Sequence, residues 1–135
     1  MTSYPTHSEI DELLTFLPKL KDKNFNAVGN IRGGEKDANG VIHISFPEYN
    51  KSVIEFFKVA SKECWSDYDY LNKNARQMLT KDGFIESANI DQIKTMLTFC
   101  QRGERFCDGH WESMIEEGFI LRILERLDMI RDEVS

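Results

Sequence analysis

The sequence predicts an α+β protein, mainly helical, in which five or six helices and one β-hairpin form a single domain over residues 1–135. Several segments repeat apolar residues three and four positions apart, as one face of an amphipathic helix does. Between about Phe25 and Phe46 the pattern changes to alternation, which is typical of a strand with one solvated face. With 135 residues and 41% hydrophobic content, the chain is long enough to bury one core.

Charge argues against a nucleic-acid partner. The formal net charge is -6 at pH 7, whereas domains that bind a phosphate backbone usually carry a basic face. The last predicted helix offers Arg122 and Arg126 as a helix-turn-helix recognition face, but Glu116, Glu117 and Glu125 dilute that charge. We therefore expect no nucleic-acid partner.

The N-terminal residues and the cysteines predict a cytoplasmic location. His7, Glu9, Asp11 and Glu12 stand where a signal peptide would need an apolar core. No run of about 18 apolar residues occurs, so no membrane association is expected. The three cysteines are an odd number in a chain without an export signal, and we expect reduced thiols.

The first helix is predicted to begin at Thr6. Thr6 and Glu9 have the spacing of a capping box, in which each side chain bonds to the backbone of the other residue. Pro18 is expected to end the helix after Leu17, with a kink at Pro18 as the alternative. Its apolar face consists of Ile10, Leu13, Leu14 and Leu17.

The β-hairpin is predicted between about Phe25 and Phe46. Its second strand alternates Ile42, Ile44 and Phe46 with polar residues. Its turn contains a glycine pair and then Asn-Gly, which favours tight turns. The glycines could instead cradle a phosphate, but no Gly-Lys-Ser/Thr follows them, so the hairpin turn is favoured.

Two helices are predicted in the middle of the chain. The first should start at Pro47, which suits a first helical turn. Its apolar face consists of Tyr49, Val53, Phe56, Phe57 and Ala60. The second is short, carries Leu71 on its apolar face and should close near Gly83.

A longer helix is predicted to start at Asn89, which has a glutamine at capping-box spacing. If this helix continued past Gly103, Glu104 would lie on its buried face. A buried carboxylate needs a partner, because desolvating it alone costs several kcal/mol. We expect either that the helix ends near Gly103 or that an arginine, Arg102 or Arg105, holds Glu104.

Two further helices complete the prediction. Asp108 is expected to cap the first, which would end at Gly118. The last has one continuous apolar face, formed by Ile120, Ile123, Leu124, Leu127 and Ile130.

The segment Cys64–Tyr70 combines aromatic and acidic residues. Trp65, Asp67 and Tyr68 could line a ligand pocket, since aromatic rings supply apolar faces and a carboxylate can accept from a polar ligand. The simpler interpretation, in which the aromatic side chains fill the core, is favoured on the same grounds.

Cys100, Cys107 and His110, with Cys64 from elsewhere, could form a metal site. Structural zinc sites usually contain closely spaced ligand pairs, and only Cys107 and His110 have that spacing. Cys100 also lies on an apolar stripe, where a thiol behaves as a small hydrophobic side chain. We predict no metal and no cofactor.

Cys107 could instead be a nucleophile, with His110 as its base and Glu104 or Asp108 as the acid. A nearby helix N-terminus and Arg105 would lower the pKa of the thiol. The adjacent Asp108 opposes this effect, and no oxyanion donor can be named.

The favoured interpretation of this segment is structural. Arg102, Glu104, Arg105 and Asp108 would form a salt-bridged joint between two helices, with Trp111 packed beneath it. Arginine pairs with carboxylates through two parallel hydrogen bonds, so such a joint would fix the geometry of the helices.

The run Arg102–Trp111, Arg-Gly-Glu-Arg-Phe-Cys-Asp-Gly-His-Trp, resembles the characteristic segment of a family of small, mostly bacterial proteins known only as a domain of unknown function. The segments Ile10–Leu17, Cys64–Tyr68 and Leu124–Leu127 are similar to that family as well. The resemblance covers most of the chain, and it implies no activity, cofactor or site residue.

Two functions are predicted from these segments. The first is a binding or interaction module whose partner is a protein, a small molecule or a second copy of the chain. Its groove would be lined by Trp65, Asp67, Tyr68, Arg102, Arg105 and Trp111. The alternative is a small thiol- or metal-dependent enzyme. Its chemistry would come from Cys107, His110, Glu104 and Asp108.

Overall fold

The computed structural model describes residues 5–22, 25, 28–32, 46–105 and 109–133. Within them the chain forms seven α-helices, two short strands and five 3-10 turns. The helices are α1 (His7–Leu14), α2 (Leu17–Lys21), α3 (Lys51–Ala60), α4 (Ala75–Thr80), α5 (Ile90–Arg102), α6 (His110–Glu116) and α7 (Phe119–Ile130). The strands are β1 (Val28–Arg32) and β2 (Phe46–Tyr49). The 3-10 turns are Glu63–Trp65, Tyr70–Asn72, Ile85–Ser87, Gly103–Arg105 and Arg131–Glu133.

The predicted class, α+β with a hairpin from about Phe25 to Phe46, is wrong, because the described part of the chain is mainly α-helical. It has seven α-helices rather than five or six. β1 and β2 pair antiparallel, but β2 begins at Phe46, where the predicted strand should end. Ile42 and Ile44, which carried the prediction, lie outside the described residues. A two-stranded ladder is marginal by itself, so helix packing decides the class.

Pro47 lies in β2 and does not start a helix, contrary to the prediction. Both strands of a two-stranded sheet are edges, where the missing N–H of a proline is tolerated. The following helix starts at Lys51, and the Asn50 side chain accepts a hydrogen bond from the Ser52 N–H at 3.0 Å. The apolar face of α3 is buried as predicted at Val53, Phe56, Phe57 and Ala60.

The capping box at the start of α1 is confirmed. Thr6 Oγ1 accepts from the Glu9 N–H at 3.2 Å, and Glu9 Oε1 accepts from the Thr6 N–H at 2.8 Å. The helix ends at Leu14 rather than Leu17. Pro18 lies in the first turn of α2, so it starts a helix instead of ending one.

α5 lies at the centre of the fold and packs against α3, α4, α6 and α7. Its capping box is confirmed, since the Asn89 and Gln92 side chains accept from each other's backbone N–H groups at 2.8 and 2.9 Å. The helix ends at Arg102, next to the predicted end at Gly103. Its fully buried side chains are Ile93, Met96, Leu97 and Cys100.

α7 closes the core and is held by polar contacts at both ends. The Arg122 guanidinium donates two hydrogen bonds of 2.8 Å to the Glu86 carboxylate, and Arg131, just after α7, pairs with Asp11 of α1. The predicted apolar face is buried at Ile120, Ile123, Leu124, Leu127 and Ile130. Burying each of these side chains contributes about 1.5–3 kcal/mol before entropy is counted.

Candidate functional site

The loop between α3 and α4 is anchored by Trp65, whose side chain is 0% exposed and belongs to the core. The Thr98 hydroxyl of α5 fixes the backbone beside it. Thr98 Oγ1 accepts from the Asp67 N–H at 2.9 Å and lies 3.2 Å from the Trp65 carbonyl oxygen. Within the described residues the indole Nε1 has no hydrogen-bond acceptor, so packing alone holds the ring. Trp65 therefore supports the loop from beneath.

Asp67 is a mostly buried carboxylate with three hydrogen-bond donors. Its Oδ2 accepts from Thr95 Oγ1 at 2.6 Å and from Lys73 Nζ at 2.9 Å, and its Oδ1 accepts from the Asp69 N–H at 3.0 Å. Burial raises the pKa of this carboxyl, but the bonds from Thr95, Lys73 and Asp69 together outweigh burial and leave the pKa below its ordinary value. Asp67 is therefore an ionised link between the loop and α5.

Arg102, the last residue of α5, packs on two tyrosine rings. Its guanidinium carbon lies 5.5 Å from the centre of the Tyr68 ring and 5.6 Å from that of Tyr70. Tyr70 is buried, whereas Tyr68 is 66% exposed and its hydroxyl donates to Glu63. The contact joins the aromatic loop to the start of the Arg102–Trp111 segment.

Leu71 extends this surface. It does not join the apolar face of a helix, as the sequence predicted, but is 79% exposed in the 3-10 turn that includes Tyr70. We call Asp67, Tyr68, Leu71 and Arg102 the tyrosine–arginine surface. Large apolar side chains this exposed are informative when they share a segment with aromatic and charged groups.

A charged cleft of about 210 Å³ adjoins the tyrosine–arginine surface. Lys73 lies on its loop wall, and Asp91 and Lys94 come from α5. Lys94 is buried, which is uncommon for a lysine. The cleft thus presents both signs of charge beside an exposed aromatic ring. It is lined by Ser66, Asp67, Tyr68, Lys73, Asp91 and Lys94.

Glu104 caps α6 from the preceding 3-10 turn. Its Oε1 accepts from the Trp111 N–H at 2.9 Å and its Oε2 from the Gly109 N–H at 3.2 Å. The residue at the N-cap is Gly109, not the predicted Asp108, which lies outside the described residues. The side chain is partly buried, and Arg102 packs on tyrosines instead of pairing with it.

The salt-bridged joint predicted between α5 and α6 is therefore described only in part. The Arg105 side chain and Asp108 lie outside the described residues. Trp111 stacks on Phe57 with ring centres 4.5 Å apart, and its Nε1 donates to the Gln101 carbonyl at 2.9 Å. Trp111 thus fastens α6 to α3 and α5.

The His110 imidazole packs against the backbone of Gly103 and Phe99. Nε2 is buried without a hydrogen-bond partner among the described residues, and a Cβ built on Gly103 would lie 2.2 Å from it. The Phe99 backbone bonds to the imidazole, and the Phe99 ring meets it edge-on at 5.3 Å. Burial lowers the pKa of His110, and the Arg76 charge lowers it further.

The two described thiols, Cys64 and Cys100, stay protonated near neutral pH, which disfavours them as nucleophiles. Burial raises the pKa of Cys64 to about 12, with help from the Glu9 side chain, and burial also raises the pKa of the fully buried Cys100. Cys107 lies outside the described residues. Across the part of the chain that the structure describes, no three His, Cys, Asp or Glu residues are grouped to hold a metal ion.

Sequence reasoning missed the residues of α5 that support the site. Lys94, Thr95 and Thr98 form a second buried face of the helix, next to its apolar stripe. Their spacing of three and four was visible, but polar residues at helical spacing usually indicate a solvated face. Buried threonines here bond to loop groups, which only the tertiary structure reveals.

The fold and site define a mainly α-helical protein with an exposed tyrosine–arginine surface beside a charged cleft. Residues 5–133 match a protein family described as a family of unknown function (DUF6508). The chain therefore belongs to that family. No curated protein and no solved structure matches the chain. None of the described helices combines the length and the apolar character needed to cross a membrane.

Proposed function

We propose that this protein is a binding module that recognises a partner protein through the tyrosine–arginine surface. The main observation is that the Arg102 guanidinium stacks over the exposed ring of Tyr68. The exposed Leu71 lies three residues further along the same loop. Tyrosine and arginine are enriched among the residues that dominate binding energy at protein interfaces. An exposed tyrosine stacked on a half-buried arginine supports an interface better than it supports a solvated loop.

The tyrosine–arginine surface is held in place by contacts with the core and with α5. Trp65 fills the core beneath the loop, and Thr95 and Lys73 hold Asp67 by hydrogen bonds of 2.6 and 2.9 Å. Arg102 is restrained between tyrosine rings. A surface that is already ordered loses less conformational entropy on association, so more of the contact energy appears as affinity.

The exposed groups indicate the chemistry of the partner. Tyr68 and Leu71 would contact an apolar or aromatic side chain, while Arg102 would face a carboxylate at its edge. Lys73 lines the adjoining cleft, but its ammonium group already pairs with Asp67 at 2.9 Å, so Arg102 is the cation offered to the partner. The partner we propose is therefore a protein segment with apolar and acidic side chains.

The alternative, a thiol- or metal-dependent enzyme, has less support. It depends on Cys107 and Asp108, which lie outside the described residues, and on His110, whose Nε2 packs against Gly103. Glu104 binds two backbone N–H groups of α6, which makes it a cap and not a free acid. We accordingly favour binding over catalysis.

We also propose that the chain is a single domain and that it acts in the cytoplasm. The buried side chains of α1, α3, α5 and α7 belong to one cluster, and this supports one cooperative unit. A second copy of the chain as partner stays a prediction. Sedimentation velocity across a range of concentrations measures it directly.

Arg102→Ala tests the proposal by affinity capture from an extract of the source cells. We expect the variant to lose a protein that the wild type retains, because it removes the stacked cation. Lys51→Ala, which removes an exposed cation of α3, is the matched control and should retain the protein. Equal capture by Arg102→Ala and the wild type, with unchanged thermal unfolding, would contradict the proposal.

A further inference from the structure

A second cleft, of about 300 Å³, lies between α4 and α6. Phe99 of α5 and Phe119 of α7 belong to its lining, and none of its described lining residues lines the charged cleft beside Tyr68. Its volume is near the lower limit for small-ligand pockets. The described residues that line it are Arg76, Leu79, Thr80, Phe99, Gly109, His110, Ser113, Met114, Glu117 and Phe119.

The two walls carry opposite charges. Arg76 is in the first turn of α4, and Glu117 directly follows α6. Both are exposed, and neither forms an ion pair within the described residues. An exposed charge without an ion-pair partner at the rim of a cleft can bind a ligand without first breaking a salt bridge.

The charges lie toward different ends of the cleft. Arg76 lines the cleft together with His110, the first residue of α6, and its charge lowers the pKa of that ring. Glu117, in contrast, directly follows the last residue of α6. At 1.5 Å rise per residue these ends of α6 are about 10 Å apart. Each residue of an extended peptide spans about 3.3–3.6 Å, so two or three residues match this spacing.

We propose that this cleft binds a short, unmodified peptide of two or three residues. Its carboxylate pairs with Arg76 and its ammonium group with Glu117. The apolar lining, which includes Leu79, Phe99 and Met114, contacts an aliphatic side chain of the peptide. An arginine fork suits a terminal carboxylate because it can donate two parallel hydrogen bonds.

The hydroxyl groups of the walls suit the peptide amides. Ser113 lies on α6 between His110 and Glu117, and Thr80 lies at the end of α4. Thr80 Oγ1 donates to the Arg76 carbonyl at 2.9 Å and so retains its capacity to accept from a ligand N–H. Acceptors and donors on both walls distinguish a peptide from a simple fatty acid.

Isothermal titration calorimetry with the tripeptide Ala-Leu-Ala tests the proposal on the full chain. We expect saturable binding that weakens about tenfold or more on C-terminal amidation, N-terminal acetylation or Arg76→Gln, since each removes a charge-assisted bond. In Arg76→Gln the amidated and free peptides should bind alike. Glu117→Gln should likewise cancel the effect of acetylation.

Glu125→Gln is the matched control, because Glu125 is an exposed carboxylate of α7 outside the cleft lining. It should bind the tripeptide as the wild type does. Absence of tripeptide binding by the folded wild type, or equal binding of the free and doubly blocked peptides, would overturn the proposal. Far-UV circular dichroism confirms that each variant is folded.

Discussion

At the scale of single residues, the contact between Gly103 and His110 explains why the α5–α6 connection has its shape. Gly103 has φ -60° and ψ -26°, a conformation open to any residue, so backbone freedom is not the reason for a glycine here. A Cβ at this position would lie 2.2–2.5 Å from three atoms of the imidazole ring. The glycine provides space for His110.

Gly103→Ala should destabilise the protein by about 1–3 kcal/mol, because the new methyl group forces the ring or the backbone to move. Urea unfolding, followed by circular dichroism, measures the free energy of unfolding. In a chain that already carries His110→Ala, Gly103→Ala should instead raise the free energy of unfolding. Without the ring, alanine is favoured over glycine at a helix end by up to about 1 kcal/mol.

This double-mutant cycle separates the ring contact from other effects of the substitution. If Gly103→Ala destabilised the wild type and His110→Ala equally, the steric account of Gly103 would be wrong.

At the scale of elements, the polar face of α5 holds the α3–α4 loop. Thr98 binds the loop backbone and Thr95 binds the Asp67 carboxylate, so the loop is fixed by side chains of a helix far from it in sequence. Arg102 at the end of the same helix stacks on the loop tyrosines. One helix therefore sets the geometry of the proposed interface.

Thr95→Val should lower the free energy of unfolding at pH 7 by about 1.5 kcal/mol, because it removes a hydrogen bond to a charged, mostly buried carboxylate. The pKa of Asp67 is lower in the folded protein than in the unfolded chain. Its contribution is therefore complete above the unfolded pKa and is lost as pH falls through the folded pKa. The difference in the free energy of unfolding between Thr95→Val and wild type should therefore become smaller as pH falls below the ordinary pKa of an aspartate.

Urea unfolding from pH 7 down to about pH 2 checks this expectation, since the range has to extend below the ordinary pKa of an aspartate, where the lowered pKa of folded Asp67 lies. Thr80→Val, at an exposed helical threonine, is the control and should have little effect at any pH. An equal loss of stability in both variants would contradict the role assigned to Thr95.

The sequence alone predicted the helices better than it predicted how they pack. The capping boxes at Thr6 and Asn89 and the apolar face of α7 are local patterns, and the structure confirms them. Pro47 was assigned to a helix because proline suits a first helical turn, but it suits an edge strand equally well. Local rules could not choose between the two.

The site was less predictable because its contacts are long-range. Trp65, Asp67 and Tyr68 were predicted as one set from their composition, yet Trp65 is buried whereas Tyr68 is exposed. Neither the spacing of apolar residues nor their preference for helix or strand shows which aromatic ring of an irregular loop faces the core. The same limit applies to Glu104, whose partners are backbone N–H groups of the next helix.

At the scale of the whole molecule, the exposed apolar side chains are distributed unevenly. Tyr68 and Leu71 lie on one loop and Arg102 stacks on Tyr68, whereas Ile54 and Met129, which are 49% and 71% exposed, lie on α3 and α7. A single exposed apolar residue needs no explanation, but an aromatic, an aliphatic and a cationic group together are typical of an interface. The proposed function depends on this difference.

Site-specific photo-crosslinking in the source cells tests most directly whether a partner binds at the tyrosine–arginine surface rather than at an isolated exposed residue. A photoreactive amino acid replaces Leu71 in one variant and Met129 in the other, so both probes are highly exposed. We expect a discrete protein adduct from position 71 that disappears with Arg102→Ala, and no such adduct from position 129. An adduct of two copies of the chain would identify the partner as the protein itself. No adduct from position 71, or the same adducts from both positions, would contradict the tyrosine–arginine surface as the binding site.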